Sequence, residues 1–458
     1  MVAETLYRPS DLFPQKEIDP TTVVVVTGMG AIGPLGIGRE TMWKNLKDGK
    51  SGIVRHVFDQ EPQNYPQIKA SIAGMVPEEF NPEVVLAGTL STRDIRNRLH
   101  RSAQFSLAAS YEALQQAGLL VEDKDAKDEK WKINSGIIDP SEIAAIIGTG
   151  IAGGETIAKV QLSLDAGKRA SPSDILHTLP ERVVTTVTMA FGIKGTAYTI
   201  VAACATGNVA IASGIKEIMS GDAKAAVVGS AEAMNVPVGY AMFDGMRRAL
   251  DPEPDPQKAP RPFDRSAAGL VMGEGAGILV LERLDVARAR GAKVLAVVSG
   301  YGIYSDAHHD TEPSGEGGKR ALLKAIDRSL EDSKTRGRKY GRVYNNLHGT
   351  GTPTGDPMEL RITREAYTER KIDVAGMSST KSSTGHCLGA ANAIEAVFCI
   401  KALEDQVMPP TLHLENPIDE AEGLNLVPKE AQVAEFDHVH SNGFGFGGLN
   451  AIVVFSRV

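Results

Sequence analysis

The chain has 458 residues, too many for one ordinary core and suited to two domains or one large duplicated one. With 42% hydrophobic and 23% charged residues and a net charge of −8, it reads as a globular protein and not as a general nucleic-acid binder. No apolar run approaches ~20 residues, so no membrane span is expected.

The first twenty residues mix acidic groups and prolines without a basic start or an apolar core, so they read as an extended arm and not as a signal or transit peptide. Val23 to Thr27 is a β-branched run, a buried strand by its pattern. Gly28-Met-Gly-Ala-Ile-Gly33 then matches a dinucleotide-binding fingerprint. Pro34, Gly36 and Gly38 fall where the phosphate-binding helix should begin, and a helix opened by such residues cannot aim its N-terminus at a pyrophosphate. The glycines are therefore expected to turn the chain out of the strand, and nicotinamide or flavin binding is not expected.

Arg39 to Leu46 reads as a short helix, Ala103 to Ala117 as an amphipathic one, and Lys124 to Lys132 as an exposed charged loop. Ala144 to Gly148 is a further strand, followed by the glycine-rich turn up to Gly154. Tyr198 to Ala203 is strand-like; Ile211, Ile215, Ile218 and Met219 follow at helical spacing, and Ala225 to Gly229 opens another strand. The result is a strand–helix–strand crossover with Cys204 at its first corner.

Two short internal similarities suggest duplication. Val24-Val-Val-Thr-Gly-Met-Gly30 resembles Ala296-Val-Val-Ser-Gly-Tyr-Gly302, and Thr206-Gly-Asn208 opens an apolar helix much as Thr384-Gly-His386 does. The expected division is an arm over residues 1–20, one α/β half over 21–292 and a second over 293–458, with the boundary in the charged stretch Glu282 to Lys293. Packed as pseudo-equivalents, the halves would bring Cys204 near His386.

A cysteine is most often a small buried apolar residue. Cys204 differs because a strand-to-helix corner offers free N–H groups and a helix dipole that favour a thiolate, and because Ala202, Ala203, Ala205 and Gly207 leave room for a substrate. Cys387 and Cys399 complete a set of three that forms no disulfide framework, which fits a reducing compartment. His348 opens a turn dense in glycine and threonine; His386 stands just before a helix, five residues after Lys381. Enclosure by small hydroxyl residues suggests that Lys381 lies in a packed, hydrogen-bonded turn. Glu395, read from its residues alone, is an ordinary surface carboxylate. Arginines cluster at 93, 96, 98 and 101 and again at 247, 248, 261 and 265, either as solvated surface or as docking sites for an acidic partner.

These residues resemble the elongating β-ketoacyl-acyl-carrier-protein synthases, of thiolase fold. The resemblance covers nearly the whole chain after Thr21, through Val24 to Gly36, Ala202-Ala-Cys-Ala-Thr-Gly207, Gly273-Glu-Gly-Ala-Gly277, both histidine motifs and Asn442-Gly-Phe-Gly-Phe-Gly-Gly-Leu-Asn450. It implies an α/β thiolase-like fold of duplicated α-β-α-β-α layered halves with mixed five-stranded sheets. It further implies a decarboxylative Claisen condensation in which an acyl thioester on Cys204 is extended by malonyl-acyl-carrier protein, for fatty acid or polyketide chains.

By the same resemblance, His386 acts with Lys381 and Glu395, His348 assists loss of carbon dioxide, and Asp356 supports the site. The backbone N–H groups of Cys204 and Phe446 form an oxyanion hole, and Phe446 gates the acyl pocket with Gly445 and Gly447 as its hinge. Thr350 and Thr352 bind the phosphopantetheine arm, while Ile151 and Phe444 line the substrate space. Arg98, Arg247 and Arg248 would dock the carrier protein. No cofactor or metal is implied, and a cytoplasmic homodimer is expected.

Against this pattern, Ala267-Ala268 stands where the family often has Arg-Asp, and Leu449 replaces a threonine. Ser173-Asp174 replaces apolar pocket residues, and the Arg247-Arg248 segment is one residue longer. A polyketide-type ketosynthase paired with a chain-length partner is the alternative. The non-catalytic partner itself characteristically lacks the active cysteine.

Overall fold

A computed structural model describes residues 19–56, 68–128, 130–246 and 249–458. The arm expected over residues 1–20 lies outside them except for its last two residues. The frame is a run of ten strands. The first half contributes β1 (Val24–Gly33), β2 (Ile143–Gly148), β3 (Ala197–Tyr198), β4 (Ala225–Glu232) and β5 (Gly275–Arg283). The second contributes β6 (Ala296–Ser305), β7 (Val343–Asn346), β8 (Val374–Ser378), β9 (His438–Gly445) and β10 (Leu449–Ser456).

Their spatial order, β8-β7-β9-β10-β6-β1-β5-β4-β2-β3, is one five-strand arrangement written twice. In each half the first strand pairs antiparallel with the fifth, the fifth antiparallel with the fourth, and the fourth and third flank the second in parallel. The two sheets meet edge to edge through only two residue pairs, Val25 with Val297 and Val26 with Ala296.

Helices fill three layers around the sheets. α1 (Arg101–Ala117) and α2 (Arg182–Phe191) cover the first sheet, and α4 (Glu316–Thr335) and α5 (Gly355–Arg370) cover the second; between the sheets lie α3 (Thr206–Ser220) and α6 (Ala391–Asp405). α6 is buried at every position from Ala391 to Leu403, as an apolar helix enclosed on all sides must be. On α3 the faces differ: Ile211, Ile215 and Ile218 are buried, whereas Met219 is exposed. Each such buried isoleucine is worth about 1.5–3 kcal/mol.

The glycines of the fingerprint-like segment lie inside β1 and do not turn the chain out of it. A Cβ on Gly28 or Gly30 would stand 2.1 Å from the carbonyl oxygen of Ala113 or Ala109 on α1. Gly300 and Gly302 meet Ala325 and Ala321 of α4 in the same way, at 2.2 and 2.0 Å, and both strands change register at the first glycine of the pair. The repeated glycines are therefore a device for close helix–sheet packing, used once in each half.

Two sequence expectations change. Beyond Tyr198 the expected strand gives way to irregular chain and a single 3-10 turn, Ala203–Ala205, because the backbone must swing into α3 there. Part of the charged 124–132 stretch belongs to a hairpin, Trp131–Ile133 against Leu120–Glu122. The charged Glu282 to Lys293 stretch joins β5 to β6 and is packed, with Glu282 fully buried and bound by Arg290 and Thr27.

Candidate active site

The two central helices begin alike. A residue with φ of +47° opens the short 3-10 turn that leads into each helix: Ala203, just before Cys204 and α3, and Leu388, just before Gly389 and α6. The structural counterpart of Cys204 is thus Gly389, and the matched triplets 206–208 and 384–386 do not superimpose in register. Positive φ costs a residue with a Cβ about 1–3 kcal/mol and persists only where surrounding contacts impose it.

Cys204 is buried. Burial pushes its thiol up to about 12; the Lys381 charge opposes that and Glu232 adds to it, while the backbone N–H groups of Phe446 and of Cys204 itself, donating toward the sulfur, pull it down. The expected easy thiolate is therefore offset by desolvation, and the two converging N–H groups mark the spot where negative charge is tolerated.

A cavity of about 420 Å³ opens on this sulfur. Cys204, His348 and His386 line it together, with Thr350, Thr352 and Phe444 along its walls and Gly445 and Phe446 at one side. The imidazoles meet edge to face with centroids 5.3 Å apart, and Phe444 braces the His348 ring at 5.7 Å. Burial first, and then the Lys381 charge, hold both histidines well below their ordinary value, so both are neutral at pH 7. The Leu388 N–H donates to His386 Nδ1 at 3.1 Å, which leaves the His386 proton on Nε2.

Lys381 and Glu395 form a buried ion pair at 2.5 Å outside the cavity lining, and Asn392 donates to the second carboxylate oxygen at 2.9 Å. Glu395 is therefore not the surface carboxylate its residue pattern suggested; α6 has no solvent face at that position. The hydroxyl-rich turn at Lys381 is packed as expected, with Ser382 donating to Ser379 and Ser379 to the Gly349 carbonyl.

Two carboxylates on α5 hold the His348 turn. Asp356 accepts from the N–H groups of Phe263, Thr350 and Gly351, and burial raises it to about 7. Glu359 accepts from the N–H groups of His348 and Gly349, both at 2.7 Å, and from Asn442. Sequence reasoning missed Glu359, although its spacing of three from Asp356 sets both on one helix face.

Phe446 sits among glycines and is 37% exposed. Gly447 takes φ of +75° and donates to the Asp310 carbonyl at 2.8 Å. Ile151 does not reach the cavity. It packs against the apolar cluster that includes Met234, Phe243 and Leu388, and the Phe243 ring stands 6.4 Å from that of Phe446. Of the docking arginines, Arg247, Arg248 and the side chain of Arg98 lie outside the described residues. Their neighbours are partly neutralised within the chain: Arg96 by Glu83, Arg101 by Glu274, Arg261 by Glu415 and Arg265 by Asp419.

The doubled sheets with paired central helices constitute a thiolase-like fold. Residues 21–287 match the family described as beta-ketoacyl synthase, N-terminal domain, and residues 295–415 match its C-terminal domain. The 3-oxoacyl-[acyl-carrier-protein] synthase 2 of Vibrio cholerae is 37% identical over 438 residues, spanning 95% of this chain and 99% of that protein. A beta-ketoacyl synthase structure from Burkholderia phymatum aligns with a TM-score of 0.81 and 29% identity, over 95% of this chain and 99% of that one. A ketosynthase solved in complex with its type II PKS acyl-carrier protein aligns with a TM-score of 0.78 and 26% identity, again over 95% and 99%. The chain belongs to the β-ketoacyl synthase family of acyltransferases.

Proposed function

We propose that the chain extends acyl thioesters by decarboxylative condensation with malonyl-acyl-carrier protein. The observation that carries this reading is the single cavity shared by Cys204, His348 and His386, with two N–H groups converging on the sulfur. The Cys204 sulfur attacks the acyl thioester carbonyl, and the N–H groups of Cys204 and Phe446 hold the oxyanion, each such donor being worth roughly 3–4 kcal/mol. The carrier's phosphopantetheine thiolate leaves and takes up the Cys204 proton, so the sulfur ends acylated and the carrier ends as a free thiol.

Malonyl-carrier protein then enters. The neutral rings of His348 and His386 donate to its thioester carbonyl, the bond to the carboxylate breaks, and carbon dioxide departs while the electron pair forms an enolate. The enolate carbon attacks the acyl-Cys204 carbonyl and expels the sulfur, which regains a proton from solvent. The product is 3-oxoacyl-carrier protein. Lys381 and Glu395 orient His386, while Asp356 holds the His348 turn. Thr350 and Thr352 receive the phosphopantetheine arm, and Ile151 bounds the acyl chain once Phe446 moves on its Gly445 and Gly447 hinges. Decarboxylation drives the reaction, so no cofactor or metal is required. The nucleophile belongs to residues 21–292 and both histidines to residues 293–458.

The carrier protein docks through Arg98, Arg247 and Arg248. The enzyme acts as a homodimer, a reading supported by the open sheet edge at β3 and by the exposure of Ile157, Ile175 and Val201 at 57%, 63% and 58%. Three unpaired cysteines fit a cytoplasmic setting, and no helix among the described residues is long and apolar enough to cross a membrane.

Incubation with acyl-carrier protein should add one acyl mass to the intact protein, and malonyl-carrier protein should then release a product two carbons longer. An unmodified mass would reject the proposal. The ketosynthase neighbour from a type II PKS complex favours a second reading, iterative polyketide extension with a chain-length partner. Repeated extension of one carrier-bound product, dependent on an added partner chain, would select it.

A further inference from the structure

Glu232 closes β4 and is fully buried, yet the reaction just described gives it no role. Its carboxylate bridges two separate turns. Oε2 accepts the N–H groups of Gly150 at 2.7 Å, Ile151 at 3.1 Å and Gly389 at 3.3 Å, and Oε1 accepts the Thr149 hydroxyl at 3.2 Å. The turns are pressed together around it: a Cβ on Gly389 would stand 2.2 Å from the Gly150 nitrogen and 3.0 Å from Oε2. Ser230, two residues earlier on the same strand, donates to the Gly389 carbonyl at 2.7 Å. The end of β4 thus grips Gly389 at both its N–H and its C=O.

The two turns face different tasks. One carries Ile151, whose side chain shares an apolar cluster with Met234, Phe243 and Leu388. The other carries Leu388, whose N–H fixes the proton of His386 on Nε2. One carboxylate oxygen thus joins the N–H of Ile151 to the N–H of Gly389, the residue next to the donor that orients His386.

We infer that Glu232 is a positioning residue that locks the Gly150–Ile151 wall to the turn orienting His386, so that acyl-chain fit controls the condensation step. The inference rests on the proposed condensation reading. An acyl chain that fits beside Ile151 leaves His386 in place, whereas one that pushes the wall outward drags Gly389 and misaligns the Leu388 donor. Chain-length discrimination then falls on condensation more than on loading.

The test compares the full-length enzyme with Glu232→Gln and Glu232→Asp. Acyl loading from carriers of graded chain length, and condensation of the loaded enzyme with malonyl-carrier protein, are timed separately by mass spectrometry. The Gln amide oxygen can still accept the three N–H groups, so this variant should stay within about twofold of wild type in both steps. Asp keeps the charge but loses reach; its loading should fall less than about threefold, its condensation at least ~10-fold, and its chain-length preference in condensation should flatten. Equal loss of both steps at every chain length, or a Gln variant as impaired as Asp, would overturn the inference. If circular dichroism finds the Asp variant unfolded, Thr149→Val, which removes only the Oε1 contact, must change the chain-length ratio of condensation and not of loading; an unchanged ratio refutes it. A wild-type enzyme that takes no acyl group defeats the condensation reading and this inference together, whereas normal wild-type turnover with unaffected variants defeats the inference alone.

Discussion

Ala203 and Leu388 share a φ of +47° at the same step of two helix entries, one ahead of Cys204 and the other ahead of Gly389. The same strained corner presents a sulfur in one half and, in the other, an amide that meets the Glu232 carboxylate. Duplication supplied the corner twice, and side-chain choice separated the duties.

Cys204→Ala removes the acyl acceptor and leaves the corner in place. The variant should show no acyl mass and a melting temperature close to wild type. Unchanged loading would move the nucleophile elsewhere.

His348→Ala removes one of the two donors aimed at the malonyl carbonyl. Release of carbon dioxide from malonyl-carrier protein should fall by about 10²–10³ while loading of Cys204 changes far less, since a lost donor of this type costs a few kcal/mol of transition-state stabilisation. Radiolabelled carbon dioxide release set against intact mass distinguishes the steps; parallel loss of both would contradict the division of labour.

Lys381→Met strands the Glu395 carboxylate in a site without solvent. Breaking a buried pair from one side costs about 3–5 kcal/mol, whereas the double variant Lys381→Met with Glu395→Leu should recover much of that stability without activity. Chemical unfolding of the wild type, the two single variants and the double variant closes the cycle.

Much of this was legible from residue type and order. Cys204 could be placed at a corner because a β-branched segment runs into isoleucines at helical spacing, and the paired Gly-x-Gly segments at 28–30 and 300–302 disclosed the duplication. Glu359, Glu232 and the burial of Glu395 were not legible, because each owes its environment to segments far away in the chain. Glu232 meets backbone amides from turns 82 and 157 residues distant. An acidic residue ending a wholly buried strand was the available signal. The 384–386 triplet misled because similarity of letters concealed a different register against α6.

Gly302→Ala tests the packing account of the glycine pairs. The added methyl would face the Ala321 carbonyl at 2.0 Å, so α4 must shift away from β6. The cost should reach about 3 kcal/mol, at the upper end for overpacking, measured by denaturant midpoint. A neutral substitution would leave these glycines unexplained.

Stability should also fall in acid through His438 and His440. Burial holds both rings at about 3, with Arg336 and Arg338 also lowering His438 and the neighbouring His438 also lowering His440. An unfolded chain takes up these protons below about 6.5 while the folded one refuses them until about 3, so folding stability declines as pH drops through that window. Each ring should cost about 2 kcal/mol between pH 7.5 and pH 5. His440→Gln, which can still meet the Tyr340 and Tyr367 hydroxyls, should therefore show a shallower acid dependence than wild type.

The two-pair seam between β1 and β6 bears on how such molecules can be rebuilt. So short a backbone join holds little of the assembly, and the halves are fastened instead where Ala393 of α6 is wedged between Gly207 of α3 and Gly277 of β5. Chimeras that splice relatives across the seam should therefore succeed or fail on three small residues where the central helices meet β5, more than on the match along β1 and β6.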